Sequence, residues 1–267
     1  MQALAASEIQ TAEQQARRPY FEIVNPEIAT IVRPLGRGLK VLDVGCGSGM
    51  HGAALKAALG HEVYGVDNSP VSIAKARTRI DGAELGDVRR PDLYPFPGAS
   101  SGFDLLVFSD ILEHLTDPLD VLRNHVQLLA SGGHVVLSIP NIAIWDARLR
   151  LMLGVWEYQD TGTFDRTHLR FFTRRSMRKM IREAGLEVVA ERISPGIVRP
   201  LVPLVKAAYA KKGPQTGGPD SSSILDSKPY QVYQRFAYPL ESLACRLWPG
   251  LLAFQFIFLC KQKEAAK

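Results

Sequence analysis

The stretch that most constrains this chain is residues 40–52, KVLDVGCGSGMHG. Val41, Leu42, Asp43 and Val44 make a short apolar run with one acid inside it, and Gly45, Gly47 and Gly49 follow at alternate positions before a helical pattern. A buried parallel strand takes apolar residues on both faces. A chain that must then bend sharply, and let a ligand approach its backbone, needs residues without a Cβ. The stretch therefore predicts strand, glycine turn, helix. A dinucleotide-binding turn of this kind carries a third glycine five positions after its first, to seat a pyrophosphate at the helix start. Met50 holds that position here, so a cofactor without a pyrophosphate fits better.

The rest of the chain repeats the alternation of strand and helix. A helix begins near Asn25 with Pro26 at its first position and Ile28, Ile31 and Val32 on one face. Residues 1–18 are polar and Ala-rich, a frayed helix at most, and Tyr20 and Phe21 precede the first periodic segment. After the glycine turn, Ala53–Leu59 continues a helix that Gly60 closes, and residues 62–66 are a second strand ended by Asp67. Helix is expected over residues 70–80, a short strand over 83–85 with Asp87 and Val88 after it, and a fourth strand over 103–109 ending in Ser109. Asp110, Glu113 and His114 follow, and Pro118 opens a helix reaching Leu129, with Ser131, Gly132 and Gly133 as its stop. The fifth strand is His134–Ile139. A long excursion, 141–172, then carries Trp145, Trp156, Tyr158, Phe164 and His168. A basic helix over 174–184 ends at Gly185, LEVVAERI is a sixth strand, 195–245 is an insertion, and 254–260 is a last strand. This order predicts a doubly wound, mostly parallel α/β sheet with ligands at the carboxyl ends of strands one, two, four and five.

Composition narrows the partners. With 267 residues, 46% of them hydrophobic, the chain can bury one large core. A formal charge of +5 is a mild excess, and it is concentrated in Arg166, Arg170, Arg174, Arg175, Arg178, Lys179 and Arg182. That segment is either a solvated helix face or a surface for an anionic substrate. Cys46, Cys245 and Cys260 form no C-x-x-C, so neither a disulfide framework nor a thiolate zinc site is indicated, and the cytoplasm is the natural compartment. No signal-peptide pattern opens the sequence. The apolar run Leu247–Cys260 contains Pro249 and Gln255 and falls short of the roughly 20 residues of a membrane span. It reads as a strand with its approach.

Four pieces in order, VLDVGCGSG, GVDNS, LGD and FDLLVFSDILEHLTDP, are similar to the motifs of class I S-adenosylmethionine (SAM) methyltransferases over residues 38–193. The resemblance implies a seven-stranded Rossmann-like sheet with an antiparallel last strand, and one SAM in an extended pose. It implies that Asp43 orients the loop and approaches the methionine amino group while Gly45, Cys46, Gly47 and Gly49 lie against the cofactor. By the same resemblance Asp67 binds ribose, Asn68 flanks adenine, Asp87 takes the adenine amino group, Val88 offers its backbone, and Ser109 completes the cofactor set. Residues 1–36 would be a helical lid or pack on the sheet, and 37–267 the methyltransferase domain. The segment DRTHLRFFTRRS and the closing PGLLAFQFIF resemble bacterial methyltransferases that accompany polysaccharide and glycolipid synthesis.

Methyl transfer from a sulfonium needs alignment more than side-chain chemistry, but a hydroxyl acceptor gains from a base or a cation. Asp110, Glu113 and His114 stand at i, i+3 and i+4, so a helical turn would put them on one face, with His168 closing over them. One reading makes His168 or His114 the general base. Another has the two carboxylates and two imidazoles hold Mg²⁺ or Mn²⁺, as in the similar ubiquinone-pathway O-methyltransferases and small-RNA ribose methyltransferases. Asp165, Arg166 and Thr167 serve a hydroxylated or phosphorylated acceptor or a salt-bridged loop, and Trp156 and Tyr158 an aromatic wall or core. The insertion, with Val198, Leu201, Val202, Leu204 and Val205, is a cap or a contact with a membrane or lipid-linked acceptor. The expected function is a cytoplasmic methyltransferase acting on oxygen of a small or carrier-linked molecule, a sugar hydroxyl first. An RNA ribose methyltransferase and a non-catalytic SAM-binding subunit are the rivals, the first weakened by the lack of an RNA-binding signature.

Overall fold

The computed structural model describes residues 24–96, 102–198 and 233–263. The expected frayed helix over 1–18, Tyr20, Phe21 and most of the 195–245 insertion, including Leu201, Val202, Leu204 and Val205, lie outside the described residues. Seven strands form one sheet: β1 Lys40–Val44, β2 Glu62–Asp67, β3 Gly82–Leu85, β4 Phe103–Ser109, β5 Leu129–Pro140, β6 Leu186–Pro195 and β7 Ala253–Gln262, in the order 3-2-1-4-5-7-6. The main helices are α1 Pro26–Val32, α2 Met50–Leu59, α3 Pro70–Ala76, α4 Pro118–Val126, α5 Trp145–Met152, α6 Arg174–Glu183 and α7 Tyr238–Leu247.

β1 lies between β2 and β4, parallel to both, with Asp43 beside Gly65 on one side and Val107 on the other. Val41, Leu42, Val44 and the run Leu105–Phe108 are fully buried, which is why these strands are almost unbroken apolar sequence. Strand order reverses at β1, so the crevice for a ligand opens where the chain leaves β1 and β4. β7 runs against its neighbours. At one end the amide of Asn141, just past β5, donates to the carbonyl of Phe254 at the start of β7, and at the other the amide of Lys263 donates to Gly185, just before β6.

The chain divides into two compact units, residues 1–139, 167–192 and 257–267 in one and 140–166 with 193–256 in the other. In the first, Ile28, Ile31 and Val32 of α1 share a core with Leu55 and Leu59 of α2, Val41, Val63, Leu105, Ile257 and Leu259. The described part of the 1–36 segment is thus packed into that unit's core. In the second, Ile144, Ala147, Phe164 and Phe254 form a small core of their own.

Two elements depart from the sequence reading. The helix expected over 70–80 stops at Ala76, because the turn beyond it lets Arg77 Nε reach the carbonyl of Ala83 at 2.8 Å and Arg79 Nη1 that of Ser48 at 2.9 Å. β5 starts at Leu129 rather than His134. Phe103 pairs with Leu129 and Leu105 with His134, so Ser131, Gly132 and Gly133 bulge within the strand instead of ending a helix before it. The approach to the last strand is a helical turn, Pro249–Leu252, with proline at its first position.

Candidate active site

The cofactor half of the site is built from the loop after β1. Gly45, Gly47 and Gly49 have φ of 73°, 51° and 78°, the left-handed region in which a side chain is strained. A Cβ on Gly45 would lie 2.7 Å from Ile111 Cγ1, whereas one on Gly47 would meet nothing within 4 Å. The loop is therefore packed on one side and open at Gly47. The amide of Gly47 donates to Asp67 Oδ2 and that of Ser69 to Asp67 Oδ1, both at 2.9 Å, so the acid ending β2 locks the loop to the start of α3. Each carboxylate oxygen keeps acceptor capacity for a ribose hydroxyl. Burial raises the Asp67 carboxyl above its ordinary range against the pull of these amides.

Asp43 is fully buried in the middle of the sheet end. Burial first, and the Asp67 charge second, push its carboxyl up to about 7. Its Oδ2 has no hydrogen-bond partner. The Gly52 amide draws the carboxyl back down, and Oδ2 lies 3.6 Å from where a Cβ on Gly52 would stand. A buried carboxylate oxygen without a partner at the end of β1 fits a cationic ligand, and SAM carries both a sulfonium and an amino group. Cys46 differs from its neighbours. Its thiol packs against β2, where a Cβ on Gly65 would sit 2.6 Å from the sulfur, and its amide is bonded to the carbonyl of Val66, so the residue supports the loop from the core side.

Other residues expected here are placed less directly. Asn68 is exposed and Val88 buried. Arg89 grips both oxygens of Asp87, at 2.9 and 2.6 Å, and holds that carboxyl below its usual range, so an adenine amino group would compete with a guanidinium fork for it. Ser109 Oγ stands 3.5 Å from Nε2 of His51, a residue the sequence reading missed. His51 Nε2 also accepts the amide of Asn25 at 3.0 Å, and burial lowers its pKa to about 4, so it is a neutral clamp between α2 and the entry to α1. Its signal in the sequence is only its place two residues after Gly49.

The acceptor half differs from expectation at Asp110. The turn after β4 is a single 3₁₀ turn, Leu112–His114, and Asp110 precedes it with φ 53°, alone among the described non-glycine residues in having a positive value. Its carboxylate accepts from Ser138 Oγ at 3.2 Å, so Asp110 is tied to β5 and does not share a helix face with Glu113 and His114. Glu113, His114 and His168 do come together. Their ligand atoms lie within 4.8 Å of one another, and the two imidazole rings meet edge to face at 4.9 Å. The carbonyl of Glu113 accepts the amides of Leu169 and Arg170 at 2.8 and 2.9 Å, and the Arg170 guanidinium reaches the carbonyl of Thr116. These bonds stitch the two loops together. His114 Nδ1 donates to the carbonyl of Thr167 at 3.1 Å, an assignment made from that partner, which leaves Nε2 as a lone pair.

Elsewhere, Arg166 pairs with Asp160 at 2.8 Å, and Trp156 and Tyr158 are 38% and 55% exposed, with the Trp156 ring edge-on to the buried Phe164 at 4.9 Å. Asn141 is fully buried but spends its amide on the carbonyls of Ala253 and Gly250 and on the amide of Ala143. The basic segment is largely engaged within the protein: Arg174 and Arg178 both bind Glu191, and Lys179 binds Glu183.

A family model described as a methyltransferase domain matches residues 13–191. This chain belongs to the class I SAM-dependent methyltransferases. A ubiquinone biosynthesis O-methyltransferase of Cereibacter sphaeroides is 31% identical over 156 residues, 57% of this chain and 62% of that protein. Its counterpart in Aromatoleum aromaticum is 30% identical over 176 residues, 64% of this chain and 74% of that one. The matches to the first relatives thus span under two thirds of their length. Among solved structures, a SAM-dependent methyltransferase from Archaeoglobus fulgidus superposes with a TM-score of 0.55 at 17% identity, covering 91% of this chain and 97% of that one. The [4+2]-cyclase SpnF superposes with a TM-score of 0.54 at 18% identity over 90% of this methyltransferase-family chain and 82% of its own. At such identities the likeness is one of fold, and the fold carries more than one chemistry.

Proposed function

We propose that the chain transfers a methyl group from SAM to a hydroxyl oxygen of a small or carrier-linked acceptor, with a sugar hydroxyl as the first class to test. The observation that carries this is the pairing of two built halves: a cationic-ligand cradle at Asp43, Gly47 and Asp67, and a base-bearing cluster at Glu113, His114 and His168. The names of the curated relatives, O-methyltransferases, support oxygen as the acceptor atom.

SAM supplies the electrophilic methyl. The chain's work is to align and deprotonate. Asp43 offers its orphan oxygen to the positive end of the cofactor, Asp67 holds the sugar, and the loop backbone at Gly47 leaves room for the ligand. His114 Nε2 takes the acceptor's proton as the oxygen attacks, and the Thr167 carbonyl on Nδ1 stabilises the imidazolium that forms. Glu113, buried beside it, favours the same charge. Such base assistance contributes on the order of 10²–10⁴ in rate.

The same three side chains fit a divalent ion. With Asp110 withdrawn, the donors are two imidazoles and one carboxylate, which suits Mn²⁺ or Zn²⁺ better than the oxygen-seeking Mg²⁺. Glu113, His114 and His168 would hold the ion, and its contribution would be to lower the pKa of the acceptor hydroxyl. RNA as acceptor is disfavoured by the internal pairing of the basic segment.

The test incubates labelled SAM with sugar, phenolic and RNA acceptors, with and without chelator. A methyl ether on a hydroxylated small molecule is the expected product. Label on nitrogen, or on RNA alone, would overturn the reading. Full activity in chelator would leave His114 as the base without a metal.

A further inference from the structure

We infer that α7 and its flanks form a docking face for an anionic lipid bilayer. This goes beyond the methyl-transfer reading and does not depend on it. Phe236, Leu240, Leu243 and Leu247 are 63%, 70%, 57% and 79% exposed, and Trp248, ending the helix, is 69% exposed. At 3.6 residues per turn Leu240, Leu243 and Leu247 fall within roughly a 60° arc, an apolar stripe along the helix, with Phe236 in the π-helical turn Tyr233–Ala237 that leads into it. The opposite side of the helix is anchored in the same compact unit through Glu241 and Cys245, both buried. Large apolar side chains in a row on the outside of a helix are not what a monomer presents to water without a use for them.

The distribution of charge says what the face is for. Glu241 is the sole acid from Tyr233 to Leu252, and it is turned inward, accepting the amides of Ile197 and Val198 at 2.7 and 3.0 Å and the hydroxyl of Tyr233. The charges left outside are Arg235 and Arg246, both exposed, with the Arg235 guanidinium 5.6 Å from the Phe236 ring centre. A leucine and phenylalanine stripe flanked by arginines, with a tryptophan at its end, matches a bilayer interface. The apolar side chains enter the acyl boundary, the indole lies at headgroup depth, and the guanidiniums reach lipid phosphates. A second copy of the chain fits worse, because a two-fold contact through this stripe brings the same cations together with no acid between them. The apolar surface continues within the unit: Leu149, Met152 and Leu153 are 43%, 78% and 68% exposed, and Arg148 of α5 reaches the carbonyl of Gly250, in the turn after α7, at 3.4 Å. No helix among the described residues is long and apolar enough to cross a membrane, so the contact is peripheral.

Flotation of the full chain with phosphatidylcholine vesicles, with and without phosphatidylglycerol, tests this. The chain is expected to float with the anionic vesicles and to be released by salt. Leu240→Glu and Leu243→Glu should each lower partitioning roughly tenfold or more. Arg235→Gln and Arg246→Gln should each lower it roughly fivefold on anionic vesicles alone. All four positions are exposed, so thermal midpoint and S-adenosylhomocysteine (SAH) titration should match the parent, which separates this result from any failure of the methyl-transfer reading. Wild-type chain left in the dense fraction, equal flotation on neutral and anionic vesicles, or leucine variants that float like the parent would each overturn the proposal. So would a dimer that Leu243→Glu dissociates.

Discussion

The two halves of the site reach unusual backbone conformations by opposite means. In the cofactor half, three left-handed positions are all glycines, Gly45, Gly47 and Gly49. In the acceptor half the left-handed residue is Asp110, held there by the sheet, with Ser138 Oγ on its carboxylate and the Ser138 carbonyl on its amide. Glycine makes a loop permissive, open to a ligand of fixed shape. An aspartate at φ 53° stores strain that its surroundings must over-determine, and it stands just ahead of the turn whose His114 meets His168, far away in sequence. A shared cofactor needs the first solution. A site shaped to one acceptor can use the second.

Breaking the acceptor half alone gives the largest effect. His114→Ala is expected to lower kcat about 10²–10⁴-fold with SAH affinity unchanged, measured by single-turnover methylation and calorimetry. A parallel loss of SAH affinity would merge the two halves into one.

Asp43 sharpens the contrast through pH. Its carboxyl sits at about 7 in the folded protein and near 4 unfolded, so between those values the folded chain keeps a proton that the unfolded chain has released. The Asp43 contribution to ligand-free stability therefore falls as pH rises from about 4 to 7 and is flat above. Asp43→Asn should remove that slope and stabilise the ligand-free chain at pH 8 by up to about 4 kcal/mol, while weakening SAH binding. Comparing variant with parent cancels His51, whose pKa of about 4 works the other way, adding stability as pH climbs from 4 to 6.5. Thermal melts across pH read the difference.

Gly45→Ala joins the halves. Its new Cβ meets both a positive φ and Ile111, 2.7 Å away, and should cost about 2–4 kcal/mol. Adding Ile111→Ala should recover the clash but not the conformational cost, as a denaturant double-mutant cycle would show. The smallest effect separates strain from contact at Asp110. Both Asp110→Ala and Asp110→Gly lose the bond to Ser138, so the glycine variant should be more stable than the alanine variant by roughly 1–2 kcal/mol. Equal stability would mean the turn relaxes and stores nothing.

How far the sequence could be read follows the same division. The glycine loop was legible because it is local, a residue type demanded by the backbone at its own positions, Asp67 because it ends a strand, and the doubly wound, mostly parallel sheet followed from the alternation around them. The turn after β4 is helical only over Leu112–His114, and nothing in DILEH announces that Asp110, ahead of it, will be pulled onto Ser138 of a strand formed later in the chain. His51 was missed for a related reason. Its partners, Asn25 and Ser109, stand 26 and 58 residues away. The bulge in β5 was taken for a helix stop because Gly132 and Gly133 are equally suited to either.

The central claim is that the crevice at the end of β1 and β2 binds a sulfonium nucleoside through Asp67. Titrating SAH into the wild-type chain, Asp67→Asn and Asp67→Ala by calorimetry tests it most directly. The account expects saturable binding to the wild type, weaker binding to the asparagine variant, which keeps the shape, and a loss of roughly tenfold or more for the alanine variant, two hydrogen bonds to a charged acceptor being removed. No heat with the wild type, or one affinity for all three proteins, would contradict it.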